Sequence, residues 1–418
     1  MQNHKEQMRL TMKKILFVTD RNILTTSGEL RLIKNRAESL FNESGIITDF
    51  IVFAQKERAE NRNEEINAGG DLTVYEVSLS KPLSAAASFF KVRKEIEKRL
   101  KTNEYRTVVL SGPVMVSYAK RIKRDLRIPV IADIHGSFED MVVFAKTSPF
   151  VKRAMLRLSY HLEKYLLKRN TKYLDGFFVV TEALKRYITE NYPVNNNMRY
   201  FIIPCATNTD PSDAEEYRND RKKYREKYGI QEDEIVFVYS GGVSPWQCVD
   251  RSIWLFRKIA DCLEVQTRML VFSHRREAVE ALTNGDSRIL IDSYPPDELL
   301  HVLHAGDFAF LLRENCVTNN VAFPNKFLEY VHSGMRIITT PYIEEIAKQV
   351  SGYDLGYIYD FNEDIRQLTD YIQNVDIHSY REKDIDKVLT ENSFANTTRD
   401  FRDWYLMENE QNSRQQIC

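Results

Sequence analysis

The chain has 418 residues, is 43% apolar and 28% charged, and carries a formal net charge of −1. That length exceeds one ordinary core and calls for two domains of about 200 residues each, with a globular rather than disordered or fibrous balance. The near-zero charge excludes the global basic field of a nucleic-acid binder, so no nucleic-acid partner is expected, and no apolar run approaches the roughly 20 residues that span a bilayer.

Residues 1–13 read as a flexible polar tail, without the apolar core of a signal peptide. Lys14–Thr19 reads as a first strand, and strands follow over 47–54, 72–77, 107–110, 130–132, 176–181 and 201–203. Amphipathic segments of roughly 10–20 residues separate them, the pattern of parallel βαβ units. Residues 14–208 are therefore expected to form one Rossmann-like domain. The polar stretch from Pro204 to Arg225, with Pro211 in it, reads as the connection and a solvated helix, and 209–232 is assigned as linker and connecting helix. A second series of strands runs over 234–239, 268–272, 287–291, 308–312, 336–339 and 356–358, so 233–390 reads as a second Rossmann-like domain. Residues 391–418 form a terminal helix and tail, with Phe394, Phe401, Trp404 and Tyr405 expected to pack back on the first domain. The fold class is α/β, two doubly wound sheets facing across a cleft, with ligands outside the carboxyl ends of the strands. The five cysteines are widely spaced and form no CxxC pair, which fits a reduced cytoplasm and no metal centre.

The stretch from Leu311 to Gly334 carries the most chemistry. A buried strand ends near Leu312, a polar loop follows, and a helix is expected to start at Pro324, a residue suited to a first helical turn. A helix N-terminus presents free N–H groups to a diphosphate, and Lys326 and Arg313 add positive charge. Glu329 could accept from a ribose diol, and Gly334 ends the helix. The plain alternative is a strand–loop–helix with no ligand. After the strand at 234–239, Gly241 and Gly242 allow close backbone approach to a phosphate, or simply make a tight turn.

The run Pro324-x-Lys326-x-x-Glu329-Tyr330-x-x-Ser333-Gly334-x-x-Ile337-Ile338-x-Thr340 resembles the donor-site signature of family-4 retaining glycosyltransferases of the GT-B fold, closest to those of capsule, exopolysaccharide and lipopolysaccharide pathways. Asp307 matches the small-Ala-Asp pattern that precedes the strand in that family. The resemblance implies that Glu329 is the second Glu of an E-x7-E pair holding the nucleotide ribose. Val321 stands where the first Glu belongs, with Asn319 and Asn320 beside it as replacements. It implies that Tyr239-Ser-Gly-Gly-Val243 is the glycine loop at the diphosphate. The Arg and Lys usual after that loop are replaced by Ser244-Pro-Trp-Gln247, which leaves the phosphate charge to Arg313 and Lys326, with Arg275 and Arg276 behind them. Asp133-Ile-His-Gly136 is similar to the family's Asp-x-His-Gly segment, whose His reaches the donor sugar, so His135 is the catalytic candidate. A lone loop histidine is otherwise structural. Glu139 beside it is an acceptor-side candidate, or one of an acidic pair with Asp140 at a helix start. Gly28 of Thr25-Thr-Ser-Gly28 corresponds to the first-domain glycine loop, with one of the usual two glycines, and Ser111-Gly-Pro113 is a further strand-end turn.

No Asp-x-Asp motif sits at the end of a plausible strand, so metal-independent chemistry without a cofactor is expected, with the nucleotide-sugar as donor substrate and a glycan or lipid-linked acceptor. Retention of anomeric configuration is implied by the resemblance alone. Between 150 and 172, Val151, Met155, Leu158, Leu162, Tyr165 and Leu166 recur at helical spacing among seven cations and one acid. The ordinary expectation buries that apolar stripe in the core; the other lays the helix on an anionic cytoplasmic membrane face. A non-catalytic GT-B partner of another transferase and a GT-B sugar-nucleotide epimerase stay open as other readings. A dehydrogenase does not fit, because no G-x-G-x-x-G follows the first strand.

Overall fold

The structure, a computed structural model, describes residues 14–20, 28–55, 66–77, 82–102, 104–207, 213–377 and 380–407. The tail at 1–13, the loop residues Thr25 to Ser27, Pro211 and the last residues from 408 lie outside them. The chain divides into two compact units, residues 1–208 with 393–418 and residues 209–392.

Unit 1 holds β1 (Lys14–Thr19), β2 (Thr48–Gln55), β3 (Gly69–Val77), β4 (Tyr105–Ser111), β5 (Val130–Ile134), β6 (Gly176–Val179) and β7 (Arg199–Ile202). They pair in parallel in the order β3-β2-β1-β4-β5-β6-β7. Its helices are α1 (Gly28–Ser44), α2 (Pro82–Leu100), α3 (Pro113–Val116), α4 (Ala119–Leu126), α5 (Glu139–Thr147), α6 (Phe150–Asn170) and α7 (Glu182–Asn191). The strands are near-continuous apolar runs because helices cover both faces of a parallel sheet, and every residue of β4 and β5 is buried.

Unit 2 starts with α8 (Ala214–Lys227) and holds β8 (Ile235–Ser240), β9 (Thr267–Phe272), β10 (Ile289–Asp292), β11 (Phe308–Leu311), β12 (Arg336–Thr339) and β13 (Gly356–Ile358). The order is β10-β9-β8-β11-β12-β13, again all parallel. Its other helices are α9 (Val249–Ala260), α10 (Arg276–Thr283), α11 (Pro296–Leu303), α12 (Val317–Asn320), α13 (Lys326–His332), α14 (Glu344–Gly352), α15 (Ile365–Asn374) and α16 (Glu382–Glu391). Phe237 anchors the core, stacked against Phe308 and Phe310 at 5.4 Å each and edge-on to Phe256 at 5.7 Å. In both units the strand order reverses beside the first strand. In unit 2 that leaves a crevice between the loops after β8 and β11, where doubly wound sheets take their ligands.

The chain then returns to unit 1. A parallel bridge joins Thr207 and Ser393, followed by α17 (Phe394–Thr397) and α18 over 399–407. Phe401 meets Phe178 at 4.8 Å and Phe201 at 5.2 Å, and Trp404 meets Phe201 at 5.4 Å. The expected return of the terminal helix to the first domain is what the aromatic residues accomplish.

Two local expectations fail. The connecting helix is solvated on one face only: α8 buries Tyr217, Tyr224 and Arg225 on the other. Arg221 donates to Asp307 Oδ1 at 2.5 Å and Arg225 to Glu234 O at 2.6 Å. Asp307 also accepts from Val236 N at 2.7 Å, so this carboxylate fastens α8 to β8. The apolar stripe of α6 is not in the core. Val151, Met155 and Leu158 are 69%, 64% and 71% exposed, and Leu162 and Tyr165 are exposed with them.

Candidate functional site

In unit 2 the loops after β8, β9 and β10 enclose a cavity of about 340 Å³. Gly241 and Gly242 line it with Ser273, His274 and Arg275 after β9, Ser293 and Tyr294 after β10, and Lys326 from α13. The turn at Gly241–Gly242 is held from both sides. Tyr239 Oη donates to Gly242 O at 2.6 Å, and Gly241 N donates to Phe272 O at 3.0 Å. A Cβ on Gly242 would stand 2.7 Å from Gln247 Oε1, which is committed to Ser244 N at 3.1 Å. A side chain there would displace the Gln247 amide from that hydrogen bond.

Arg313 follows β11 on the other side of the crevice. It is 7% exposed, and among the described residues no carboxylate lies within 4.0 Å of it. Its Nη1 donates to Leu312 O at 2.7 Å and to Gln247 O at 3.2 Å, so the guanidinium lies against the loop that follows the glycine turn. Burial pushes its pKa below the usual arginine range, only partly offset by Tyr239 and Cys248. A buried cation without a counter-ion is costly in an empty site and suits one that receives an anion.

The helix starts two residues later than expected. Asn325 is the N-cap of α13, and Pro324 lies before it, its carbonyl accepting from Phe327 N at 3.1 Å. Pro324 thus stiffens the approach instead of forming the first turn, and Phe323 is buried edge-on to Phe327 at 5.9 Å. Lys326 and Glu329 meet one another, Nζ to Oε2 at 2.7 Å, across adjacent positions of one turn. Tyr330, fully buried, uses its hydroxyl to accept from Ser240 N at 2.8 Å and to donate to Ser240 O at 3.3 Å. This one side chain ties α13 to the residue before the glycine turn. Gly334 does end the helix, with φ +73°.

The expected polar loop contains a helical turn, α12. Asn319 is buried and its Nδ2 donates to Glu314 O at 2.9 Å, which shapes the loop from within. The Asn320 amide, turned to satisfy its neighbours, donates to Cys316 O and Tyr342 O at 2.9 and 3.1 Å. Val321 is buried at the end of that turn, so an apolar contact occupies the position of the family's first Glu.

In unit 1, His135 follows β5, and its Nε2 lies 2.8 Å from Asp133 Oδ2. Asp133 Oδ1 accepts from Arg36 Nη1 at 2.9 Å. Glu139 opens α5 but faces the protein: it accepts from Tyr187 Oη at 2.8 Å, Tyr160 Oη at 3.3 Å and Lys164 Nζ at 3.3 Å. Burial alone would raise its pKa; the Tyr187 hydrogen bond and the Lys164 charge outweigh it and hold the carboxyl below its ordinary value. Gly28 is the first residue of α1, and the loop before it is outside the described residues. A second cavity, about 220 Å³, is lined by Ile96, Leu100, Tyr118, Arg121 and Ile122 of α2 and the α4 region.

The structure therefore gathers Gly241, Gly242 and Lys326 around one cavity with Glu329 on Lys326, and sets Arg313 on the adjoining loop. Asn319 and Asn320 shape that loop. Ser273, His274, Ser293, Tyr294 and Arg36 were not singled out from sequence, and Tyr330 entered only as a position of the quoted signature. The first four follow strand ends, which is the signal that could have found them.

The family model described as Glycosyltransferase Family 4 matches residues 48–211. The alpha-monoglucosyldiacylglycerol synthase of Streptococcus pneumoniae is 23% identical over 255 residues, 58% of this chain. The chain spans about half the length of that curated relative, 53%. Among solved structures, sucrose-phosphate synthase from Thermosynechococcus elongatus superimposes with TM-score 0.63 at 14% identity, covering 97% of this chain and 99% of the other. Anabaena HepE, solved in complex with UDP and glucose, gives 0.61 at 12% identity, covering 94% and 98%. Two parallel sheets in Rossmann order and these neighbours show the GT-B fold, and the match to the Glycosyltransferase Family 4 model spans residues 48–211 of it.

Proposed function

We propose that the protein transfers a sugar from a nucleoside diphosphate sugar to a glycan or lipid-linked acceptor of a surface polysaccharide pathway. The observation that carries this reading is Arg313, a buried cation without a carboxylate partner, set beside the glycine turn of a cavity at the strand carboxyl ends. The diphosphate binds against Gly241 and Gly242, with Arg313 and Lys326 supplying the charge that a metal would otherwise bring. Glu329 takes the ribose hydroxyls, and His135 the donor sugar. The bond from the anomeric carbon to the diphosphate breaks, and the acceptor oxygen bonds that carbon. The acceptor's proton passes to the departing phosphate oxygen. Attack from the same face retains configuration. HepE has been solved with UDP and glucose, which makes UDP-glucose the first donor to try.

Membrane contact belongs to the same reading. No helix of the described residues is long and apolar enough to cross a bilayer. The exposed stripe of α6, flanked by Lys152, Arg157, Lys168 and Arg169, suits peripheral binding to an anionic cytoplasmic leaflet. A lipid-linked acceptor would then be met where it resides. The curated relative is named for a glucosylated diacylglycerol, which supports a lipid-borne acceptor.

The test is a thermal-shift panel of UDP, GDP, ADP and NAD, followed by diphosphate release from the matching sugar nucleotide with and without lipid extract. Stabilisation by a nucleoside diphosphate and acceptor-dependent release are expected. Stabilisation by the dinucleotide alone would sink the proposal, and no response to any nucleotide would favour a non-catalytic partner.

A further inference from the structure

The Asp133 side chain is fully buried at the end of β5, and two groups share it. Arg36 Nη1, reaching across from α1, lies 2.9 Å from Oδ1, and His135 Nε2 lies 2.8 Å from Oδ2. Arg36 is itself fixed, its guanidinium 4.4 Å from the centre of the Phe178 ring and 5.7 Å from that of Phe17. Burial alone would raise the Asp133 pKa, but the charges of Arg36 and His135 and their hydrogen bonds hold it well below the usual carboxylate range. An ionised carboxylate only accepts hydrogen bonds. In a neutral His135 ring the proton therefore sits on Nε2, and Nδ1 carries the lone pair.

We infer that Arg36 and Asp133 are positioning residues that hold His135 as its Nε2–H tautomer and leave Nδ1 as the acceptor for a hydroxyl of the donor sugar. The sugar rests on the proposed transfer reaction; the tautomer rests on the geometry of unit 1 alone. Arg36 keeps the carboxylate charged and fixes its rotation. Asp133 fixes the ring. A hydroxyl of the sugar then donates to Nδ1, and a donor lacking that hydroxyl loses the contact. If the Arg36–Asp133 pair merely tied α1 to β5, the ring tautomer would not depend on it.

The full chain, labelled with 15N-histidine, is observed by long-range proton–nitrogen correlation at a pH where the ring is neutral, and His135 is assigned by the signals lost in His135→Ala. The expected pattern is a protonated Nε2 and an unprotonated Nδ1. Asp133→Asn alone strands Arg36 in the interior, so the companion variant is the double Arg36→Met, Asp133→Asn, which removes both charges together. There the two tautomers should mix. UDP release from UDP-glucose should fall at least about 10-fold in kcat, with KM for the donor changing less than about threefold. A protonated Nδ1 in the wild type, an unchanged tautomer in the double variant, or an unchanged kcat there overturns the positioning role. If His135→Ala turns over like wild type, the sugar contact is wrong, and the nitrogen signals still decide the tautomer.

Discussion

Arg313→Met should make the fold more stable and the protein unable to hold a nucleotide. Arg313 is buried, and among the described residues no carboxylate stands within 4.0 Å. Its cost to the apo fold is the desolvation of one cation, several kcal/mol after relaxation. Its return is two hydrogen bonds to the carbonyls of Leu312 and Gln247, each about 1 kcal/mol net. Methionine fills much of the same volume and needs no solvation. The balance favours the variant by about 1–3 kcal/mol. Urea unfolding measures that difference, and calorimetric titration with UDP measures the other half. Binding should weaken at least about 100-fold, the worth of roughly 3 kcal/mol for a charged hydrogen-bonded contact to phosphate. A variant that is destabilised and still binds UDP like the wild type would show that Arg313 is a structural residue and that the diphosphate lies elsewhere.

Tyr330→Phe keeps the ring and removes one hydroxyl, which leaves the buried Ser240 N–H without its 2.8 Å acceptor. Unit 2 should lose about 1–3 kcal/mol in denaturant unfolding, with weaker UDP binding because the glycine turn loses its tether. His304 is fully enclosed; burial first, then the neighbouring His332, push its pKa down to about 4. The unfolded chain binds that proton near pH 6.5 and the folded chain does not, so stability should fall as pH drops from about 6.5 to about 4. His304→Gln should flatten that slope in unfolding measured across the range. Leu158→Asp, in the exposed stripe of α6, should reduce co-sedimentation with anionic vesicles several-fold and leave the melting temperature within about 2 °C of wild type. Unchanged vesicle binding would remove α6 from the membrane contact.

The strands were legible because buried parallel strands are short apolar runs whose identity does not depend on their partners. β1, β11, β12 and β13 overlap the runs read from sequence at or within a residue of both ends. Helix faces were less legible. The stripe of α6 and the stripe of α9 share one periodicity, yet α9 buries Ile253, Leu255, Phe256 and Ile259 while α6 leaves its stripe outside. Periodicity gives a face, and only packing says what covers it. The charge-rich α8 looked solvated because its anchors are two arginines and two tyrosines, residues that serve either surface or interior according to whether an Asp307 is opposite. Site chemistry followed the same division. Glycines and cations near strand ends were visible, while Tyr330 on Ser240, 90 residues apart in sequence, and Arg36 on Asp133, 97 apart, are long-range pairings with no local signature.

The bridge from Thr207 to Ser393 makes unit 2 an insertion within unit 1. During synthesis, unit 2 can finish folding while unit 1 still lacks Phe401 and Trp404, the aromatic groups that close over Phe178 and Phe201. The first domain to leave the ribosome is thus the last to be completed. A chain cut just after 392 would keep all of unit 2 intact and expose the apolar flank of the other, so the lesion would appear at the opposite end of the sequence from the damaged fold.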